Sequence, residues 1–293
     1  MLVVWAMLFL SIAVAGVIET TNSSTEQHVR RAQEFYALQW AENGIVVGLH
    51  PDVQPGDTVL RPERATDMGF QVRVTRETGR FNVNMATSPF MGDALQRLFE
   101  LWGLQVDEAR IAVESLQDWI DLDDDPRPNG AENEFYTRHG FPQFPPNNAL
   151  TSLDQLLLVR GFDKVDLMQP DWRNYLTVYG DGSIDLNSAP GVILEAVSGV
   201  SPGDVARFLS ERNGPDRRFG TDDDSPFATL DAAFEALGVR PGDAEDLLIW
   251  AVVESPLLRI ESTGFAGNME KTIVVLAEID ENGNPTLRAR FER

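Results

Sequence analysis

The sequence predicts an α+β protein in which a long N-terminal helix packs on an antiparallel sheet, and an all-helical domain is inserted within the sheet's sequence. Three observations carry this reading. Residues 1–50 contain no proline and read as one continuous helix, strand-like text appears both at residues 71–85 and after Leu257, and most of the chain between reads as helix and turn.

Residues 1–18 (MLVVWAMLFLSIAVAGVI) carry no charge. As a helix rising 1.5 Å per residue they extend about 27 Å, close to the hydrocarbon thickness of a bilayer, and they are predicted to span a membrane. The alternative is a cleaved secretory signal ending at Ala13-Val14-Ala15. Residues 26–49 argue instead for a retained helix, because Val29, Ala32, Phe35, Tyr36, Leu38 and Trp40 fall mainly on one helical stripe that would lie against a globular body. No Lys or Arg precedes the apolar run, so the true start is expected upstream, or the sequence begins close to a processed form.

Residues 51–62 form a Pro/Gly/Asp-rich connector. Two strands are expected next, at 71–75 and 80–85, joined by a turn at Glu77-Thr78-Gly79. Residues 89–120 read as two helices, carrying Leu95, Leu98, Phe99, Leu101 and Trp102, then Ile111, Val113, Leu116, Trp119 and Ile120. A polar, Pro-rich loop covers 121–148. A further helix is predicted from Thr151, where Thr151-Ser152-Leu153-Asp154 resembles a capping box, and it stops near Gly161. Strands return at 257–264, 271–279 and 285–291, the last two joined by Glu281-Asn282-Gly283-Asn284. The resulting domain plan is 1–50 for the helix, 51–86 for the first part of the sheet, 87–173 for a first helical unit, 174–255 for a strand and second helical unit, and 256–293 for the closing strands.

The two helical units are related. Arg80-Phe81-Asn82-Val83-Asn84-Met85-Ala86 is echoed by Ser183-Ile184-Asp185-Leu186-Asn187-Ser188-Ala189, and Ser152-Leu153-Asp154 by Thr229-Leu230-Asp231, in the same order. In the second unit, residues 191–214 read as helix, Gly-Val-Ser-Pro turn, helix. This helix-hairpin-helix-like (SAM-like) text is used by some proteins to present backbone N–H groups to phosphate. Here Pro202 removes one donor, and Asp204 and Glu211 flank the turn, so the hairpin reads as a packing unit.

Charge points the same way. There are 24 Lys plus Arg against 46 Asp plus Glu, a formal net charge of -22. Such a surface repels phosphate and anionic headgroups, which excludes nucleic acid as a partner and leaves hydrophobic insertion as the route to a membrane. Basic partners and divalent cations suit it. The chain has no Cys, which removes disulfides, thiolate nucleophiles and Cys-ligated zinc. It does not read as an enzyme, and no small-molecule substrate is expected: His28, His50 and His139 include no pair at metal-ligand spacing, and there is neither a G-x-S-x-G nor a Gly-rich loop opening a helix after a strand.

Four blocks of residues carry a family resemblance. They are Ser115-Leu116-Gln117-Asp118-Trp119-Ile120-Asp121-Leu122-Asp123-Asp124-Asp125-Pro126-Arg127-Pro128, then Gly130-Ala131-Glu132-Asn133-Glu134-Phe135-Tyr136, then Leu150-Thr151-Ser152-Leu153-Asp154-Gln155-Leu156 with Arg160-Gly161, and Asp185-Leu186-Asn187-Ser188-Ala189-Pro190. In this order they resemble general secretion pathway protein K, the family of large minor pseudopilins of type II secretion systems. The resemblance implies a pilin-like fold with an inserted helical domain, and a place at the tip of a short periplasmic pseudopilus in a hetero-oligomer with two other minor pseudopilins. Most pilins carry a Glu near the start of the mature helix. This chain has no acidic residue before Glu19, as the K subunit does not, and a tip position would leave no subunit above to need that pairing. The alternative is a free-standing, membrane-tethered, calcium-dependent binding module.

Asp121, Asp123 and Asp125 alternate in the loop after the second helix, with Asp124 between them and Glu132, Asn133 and Glu134 returning past a glycine. Carboxylates this close repel by about 1 to 4 kcal/mol per pair, which a hard divalent cation reverses by taking six to eight oxygens. On spacing alone the order departs from the EF-hand pattern and also reads as a solvated acidic loop. Relatives that this chain resembles bind calcium in the helical domain, and the resemblance therefore implies one or two Ca²⁺ ions here. Asp121, Asp123, Asp125, Glu132 and Glu134 are the expected ligands, with Asp222 and Asp224 of a second acidic cluster beside Asp216 and Asp223 as a further candidate.

Overall fold

A computed structural model describes residues 2–62, 67–240 and 245–292, with the side chains of residues 2–4, 6 and 8–25 outside that description. In chain order the helices are α1 (Leu2–Gly48), α2 (Pro89–Leu101), α3 (Val106–Ile120), α4 (Asn133–Arg138), α5 (Phe162–Met168), α6 (Gly191–Ser198), α7 (Pro202–Arg212), α8 (Leu230–Leu237) and α9 (Glu245–Trp250). The strands are β1 (Met68–Arg76), β2 (Phe81–Asn82), β3 (Leu176–Thr177), β4 (Ile184–Asp185), β5 (Ala251–Val252), β6 (Leu257–Ala266), β7 (Met269–Ile279) and β8 (Pro285–Glu292). They form two compact units. One is built from Met1–Val74, Ile260–Ala277 and Pro285–Arg293, the other from Thr75–Arg259 and Glu278–Asn284.

In the first unit α1 meets a four-stranded sheet of order β1-β6-β7-β8. The Gly267 N–H donates to the Asp67 carbonyl at 2.8 Å, Arg73 Nε to Glu261 at 3.1 Å and Thr75 Oγ1 to the Arg259 carbonyl at 3.5 Å. Rising numbers on one strand meet falling numbers on the other, so β1 and β6 are antiparallel. Period-two alternation buries Phe70, Val72 and Val74 on one face of β1 and leaves Gln71 and Arg73 outside. The helix answers with small residues, Ala37, Ala41, Gly44 and Gly48, of which the two alanines are fully buried, whereas Val29, Phe35 and Tyr36 of the stripe expected to lie against the body are exposed. Gly264 of β6 lies so close to the α1 backbone that a Cβ there would stand 2.0 Å from the Ala37 carbonyl oxygen and 2.3 Å from the Ala41 nitrogen. No side chain fits between them.

The segment expected to span a membrane, residues 1–18, falls in the first half of α1. Apart from Trp5 and Met7 its side chains lie outside the described residues. Among the described residues, no helix is long and apolar enough to cross a membrane.

The expected hairpin of residues 71–75 with 80–85 does not form. β1 pairs with β6, whereas the second segment is a two-residue strand, β2, running in parallel beside β3 with Phe81 opposite Leu176. The Asn82 side chain accepts from the Asn84 N–H at 3.0 Å and turns the chain into a 3-10 helix, Val83–Met85, before strand pairing can extend. The helix expected from Thr151 is likewise a 3-10 helix, Leu153–Leu158, capped by Ser152.

The second unit is helical apart from two short parallel pairs, β2-β3 and β4-β5. α2 packs on α3 and α6, α6 on α7, and α7 on α8. Met91, Ala94, Leu95, Leu98 and Phe99 of α2 are fully buried at helical spacing, and Trp119, Phe162, Trp172 and Phe208 join the same core. The echo between the two helical units is present in the hydrogen bonds. Asn84 donates to the Leu150 and Val178 carbonyls at 3.0 and 3.4 Å and accepts from the Leu150 N–H at 2.8 Å. Asn187 donates to the Phe227 and Val253 carbonyls at 2.9 and 2.8 Å and accepts from the Phe227 N–H at 2.9 Å. Each asparagine ties its strand to the returning strand and to the residue that follows an acidic loop.

Candidate functional site

The acidic loop begins where α3 ends. Asp121 closes that helix, its N–H donating to the Gln117 carbonyl at 3.0 Å, and Asp118 lies one turn earlier, fully buried. Trp119 is fixed between Phe144 and Tyr136, with ring centroids at 5.0 and 5.6 Å. Gly130 passes so near Asp118 that a Cβ would meet its Oδ2 at 1.9 Å, which explains a glycine before Ala131-Glu132. Arg160 holds the same stretch from the far side, donating to the Gly130 carbonyl at 2.8 Å and lying over the Phe135 ring.

Within this frame Arg127 Nη1 donates to Asp118 Oδ1 at 2.6 Å and to Asp121 Oδ2, and the Arg127 N–H faces both Asp118 oxygens at 3.3 Å. Asn147, in the left-handed region at φ 47°, donates to the Asp123 carbonyl at 2.7 Å and to Asp124 Oδ1 at 2.9 Å. Glu132 is 4% exposed, and both of its carboxyl oxygens are buried without a hydrogen-bond partner. Asp121 Oδ1 and Asn147 Oδ1 are buried and unpartnered as well. Leaving such atoms unsatisfied is costly, so this concentration of oxygens in one loop calls for an explanation.

The electrostatics agree. The Glu132 carboxyl is pushed up to about 7 by its burial and then by the negative charges of Asp118, Asp121, Asp124 and Asp123. Burial also raises Asp118, against the hydrogen bonds and charge of Arg127. Arg127 is raised: burial opposes its charge, and the hydrogen bonds that it donates to Asp121 and Asp118 outweigh that.

Of the ligands expected from sequence, Asp121, Asp123 and Glu132 come together here. Asp123 Oδ1 accepts the Asp125 N–H at 3.0 Å, a turn internal to the loop, and Asp125 itself is exposed. Glu134 sits on α4, exposed, paired with Arg138 at 2.7 Å. Asp118, Arg127 and Asn147 were not anticipated. Asp118 had a signal in being one helical turn before Asp121; nothing in the text marked Asn147, 23 residues from Asp124. Among the described residues, no three His, Cys, Asp or Glu side chains are arranged as the ligands of a metal ion. The oxygens present nevertheless suit a hard cation: they are carboxylate and amide oxygens, several are buried and unpartnered, and no nitrogen or sulfur ligand competes. Asp121, Glu132 and Asn147 would hold it.

The second acidic loop is bonded largely to itself. Asp223 accepts the Asp216 N–H at 2.9 Å and Thr221 Oγ1 at 2.7 Å, which lowers its carboxyl, while Asp216 Oδ1 accepts the Arg218 N–H at 2.6 Å. Asp224 Oδ2 accepts the Gly220 N–H at 2.7 Å and its Oδ1 is buried without a partner; Asp222 is exposed.

Comparison with known proteins supplies context. Residues 79–180 match the family model described as type II secretion system (T2SS), protein K. Type II secretion system protein K of Pectobacterium carotovorum is 29% identical over 189 residues, covering 56% of this chain and 57% of that protein. The protein of the same name from Pseudomonas aeruginosa is 24% identical over 217 residues, covering 65% and 63%. The chain thus spans less than two thirds of the length of these curated relatives. A chain of the crystal structure of the GspK-GspI-GspJ complex from the enterotoxigenic Escherichia coli type 2 secretion system superposes with a TM-score of 0.65 at 16% identity, over 93% of this chain and 99% of that one. At that identity the likeness is one of fold.

Proposed function

We infer that this chain is a member of the type II secretion system protein K family and works as a minor pseudopilin, assembling with two other minor pseudopilins at the tip of the pseudopilus to support protein export across the outer membrane. The observation that carries this is the match of one fold over 93% of the chain, with the family model lying on the helical unit. The similar structure comes from a complex of three proteins, and α1 offers this chain's own contact surface, with Val29, Phe35, Tyr36 and Val46 exposed along it. A tip position suits a chain with no acidic residue before Glu19. Residues 1–18 would anchor it in the inner membrane, with the remainder of the chain in the periplasm.

The acidic loop is read as a calcium site that steadies the helical unit. Its support is the set of buried, unpartnered oxygens on Asp121, Glu132 and Asn147 in a loop of high negative charge. When bound, calcium would supply the positive charge that these oxygens lack.

The experiment is co-expression with two smaller pilin-like proteins of the same secretion system. Stoichiometric co-purification is the expected result, together with loss of export when this chain is deleted. A chain that stays monomeric beside those partners, and whose deletion leaves export intact, would overturn the reading.

A further inference from the structure

We propose that Arg127 is an internal counter-ion that competes with calcium for the acidic loop, so that cation binding requires its guanidinium to leave Asp118 and Asp121. The inference rests on the calcium reading above and adds to it a residue that resists the ion.

The geometry is specific. One nitrogen of Arg127, Nη1, donates to carboxylates on both sides, Asp118 at 2.6 Å and Asp121, and so occupies the point between them where positive charge is most needed. Asp118 has no exposed surface, and a buried carboxylate left without a counter-charge is strongly destabilising. Some cation must therefore serve it whenever it is ionised. A guanidinium does not deprotonate near neutral pH, so Arg127 can give way only by moving, and with about a third of its side chain exposed it has solvent to move into. Pro126 and Pro128 fix the backbone on either side, which confines that movement to the side chain. Glu132 supplies the independent sign that the loop awaits a further ligand: it is nine-tenths buried, and Arg127 reaches neither of its oxygens.

Competition of this kind lowers apparent affinity by the fraction of molecules in which Arg127 has already left, so a tenfold bias toward the bridged state weakens binding about tenfold. It also keeps the helical unit folded where calcium is scarce.

The test is calorimetric titration of the full chain with calcium chloride, alongside melting in a chelator, for wild type, Arg127→Gln and Arg138→Gln. Arg138, on exposed α4, controls for the loss of one positive charge nearby. The expected result is that Arg127→Gln binds calcium about tenfold more tightly and melts lower in chelator, while Arg138→Gln matches wild type. Equal or weaker binding by Arg127→Gln, or equal tightening by Arg138→Gln, overturns the competition and leaves the calcium reading standing. If neither wild type nor variant takes up calcium, the calcium reading fails and this inference with it. Should Arg127→Gln not fold, the wild type decides: rotation of the Arg127 guanidinium, followed by nitrogen-15 NMR, should be hindered in chelator and freed at saturating calcium. A guanidinium that stays hindered with calcium bound overturns the proposal.

Discussion

At the scale of single residues, Glu132 is where burial and charge conflict most. Its folded carboxyl titrates near 7, well above the ordinary 4.5 it regains on unfolding. A raised carboxyl favours the fold while protonated, and that contribution is complete below about 4.5 and lost as pH rises through about 7. In chelator the melting temperature should therefore fall between about pH 4.5 and 7, and Glu132→Gln should flatten that fall. A wild-type profile as flat as the variant's would contradict the assignment. With calcium present the same fall should be suppressed, and Asp121→Ala should abolish the difference between calcium and chelator in a thermal melt. Asp121, Asp123 and Glu132 stood out in the sequence as close carboxylates, a pattern that on spacing alone fits a solvated acidic loop equally well; it was the resemblance that pointed to a cation. The rest of the site was not. Arg127 reads as an ordinary charged loop residue until its nitrogen is seen between two carboxylates, and Asn147 reaches the loop only through the path of the chain.

Elements were legible where periodicity is strong and obscure where pairing is distant. The apolar spacing in α2 and α3, the turn between α6 and α7 and the closing strands follow from local text. That β1 pairs with β6, with Arg73 and Glu261 188 positions apart, has no local signature, and the expected hairpin was the nearer but wrong choice. The echo of Asn84 in Asn187 was visible as text, and its meaning became clear only with the bonds: three for each asparagine, joining strand, returning strand and loop. Asn187→Ala should cost about 3 kcal/mol, since it leaves the Phe227 N–H and two carbonyls without partners, and chemical denaturation monitored by circular dichroism would measure it. In the first unit, Gly264→Ala should destabilise by more than about 3 kcal/mol, because the methyl group meets helix backbone that cannot yield as a side chain would. A change near zero would mean that α1 sits farther from β6 than the geometry places it.

For the whole molecule, the division into an α1-and-sheet unit and a helical unit predicts separable responses. A calcium ion held in the acidic loop predicts that chelation quickens amide exchange in α3 and α4 and leaves β6 and β7 unchanged; quickening across both would argue against a local site. The pairing of β1 with β6 has one more consequence, and it concerns the order of events on the ribosome. The first seventy-odd residues, including the side of α1 that will be buried, emerge long before β6 exists to receive them. The intervening helices share a core of their own. Synthesis should thus deliver a finished helical body while β1 still waits for its neighbour, and the long closure that unites them, modest in entropic cost for its length, comes last. A nascent chain halted before Leu257 would carry a helix whose small-residue side has nothing to rest on, the state most in need of a chaperone or of a lipid surface.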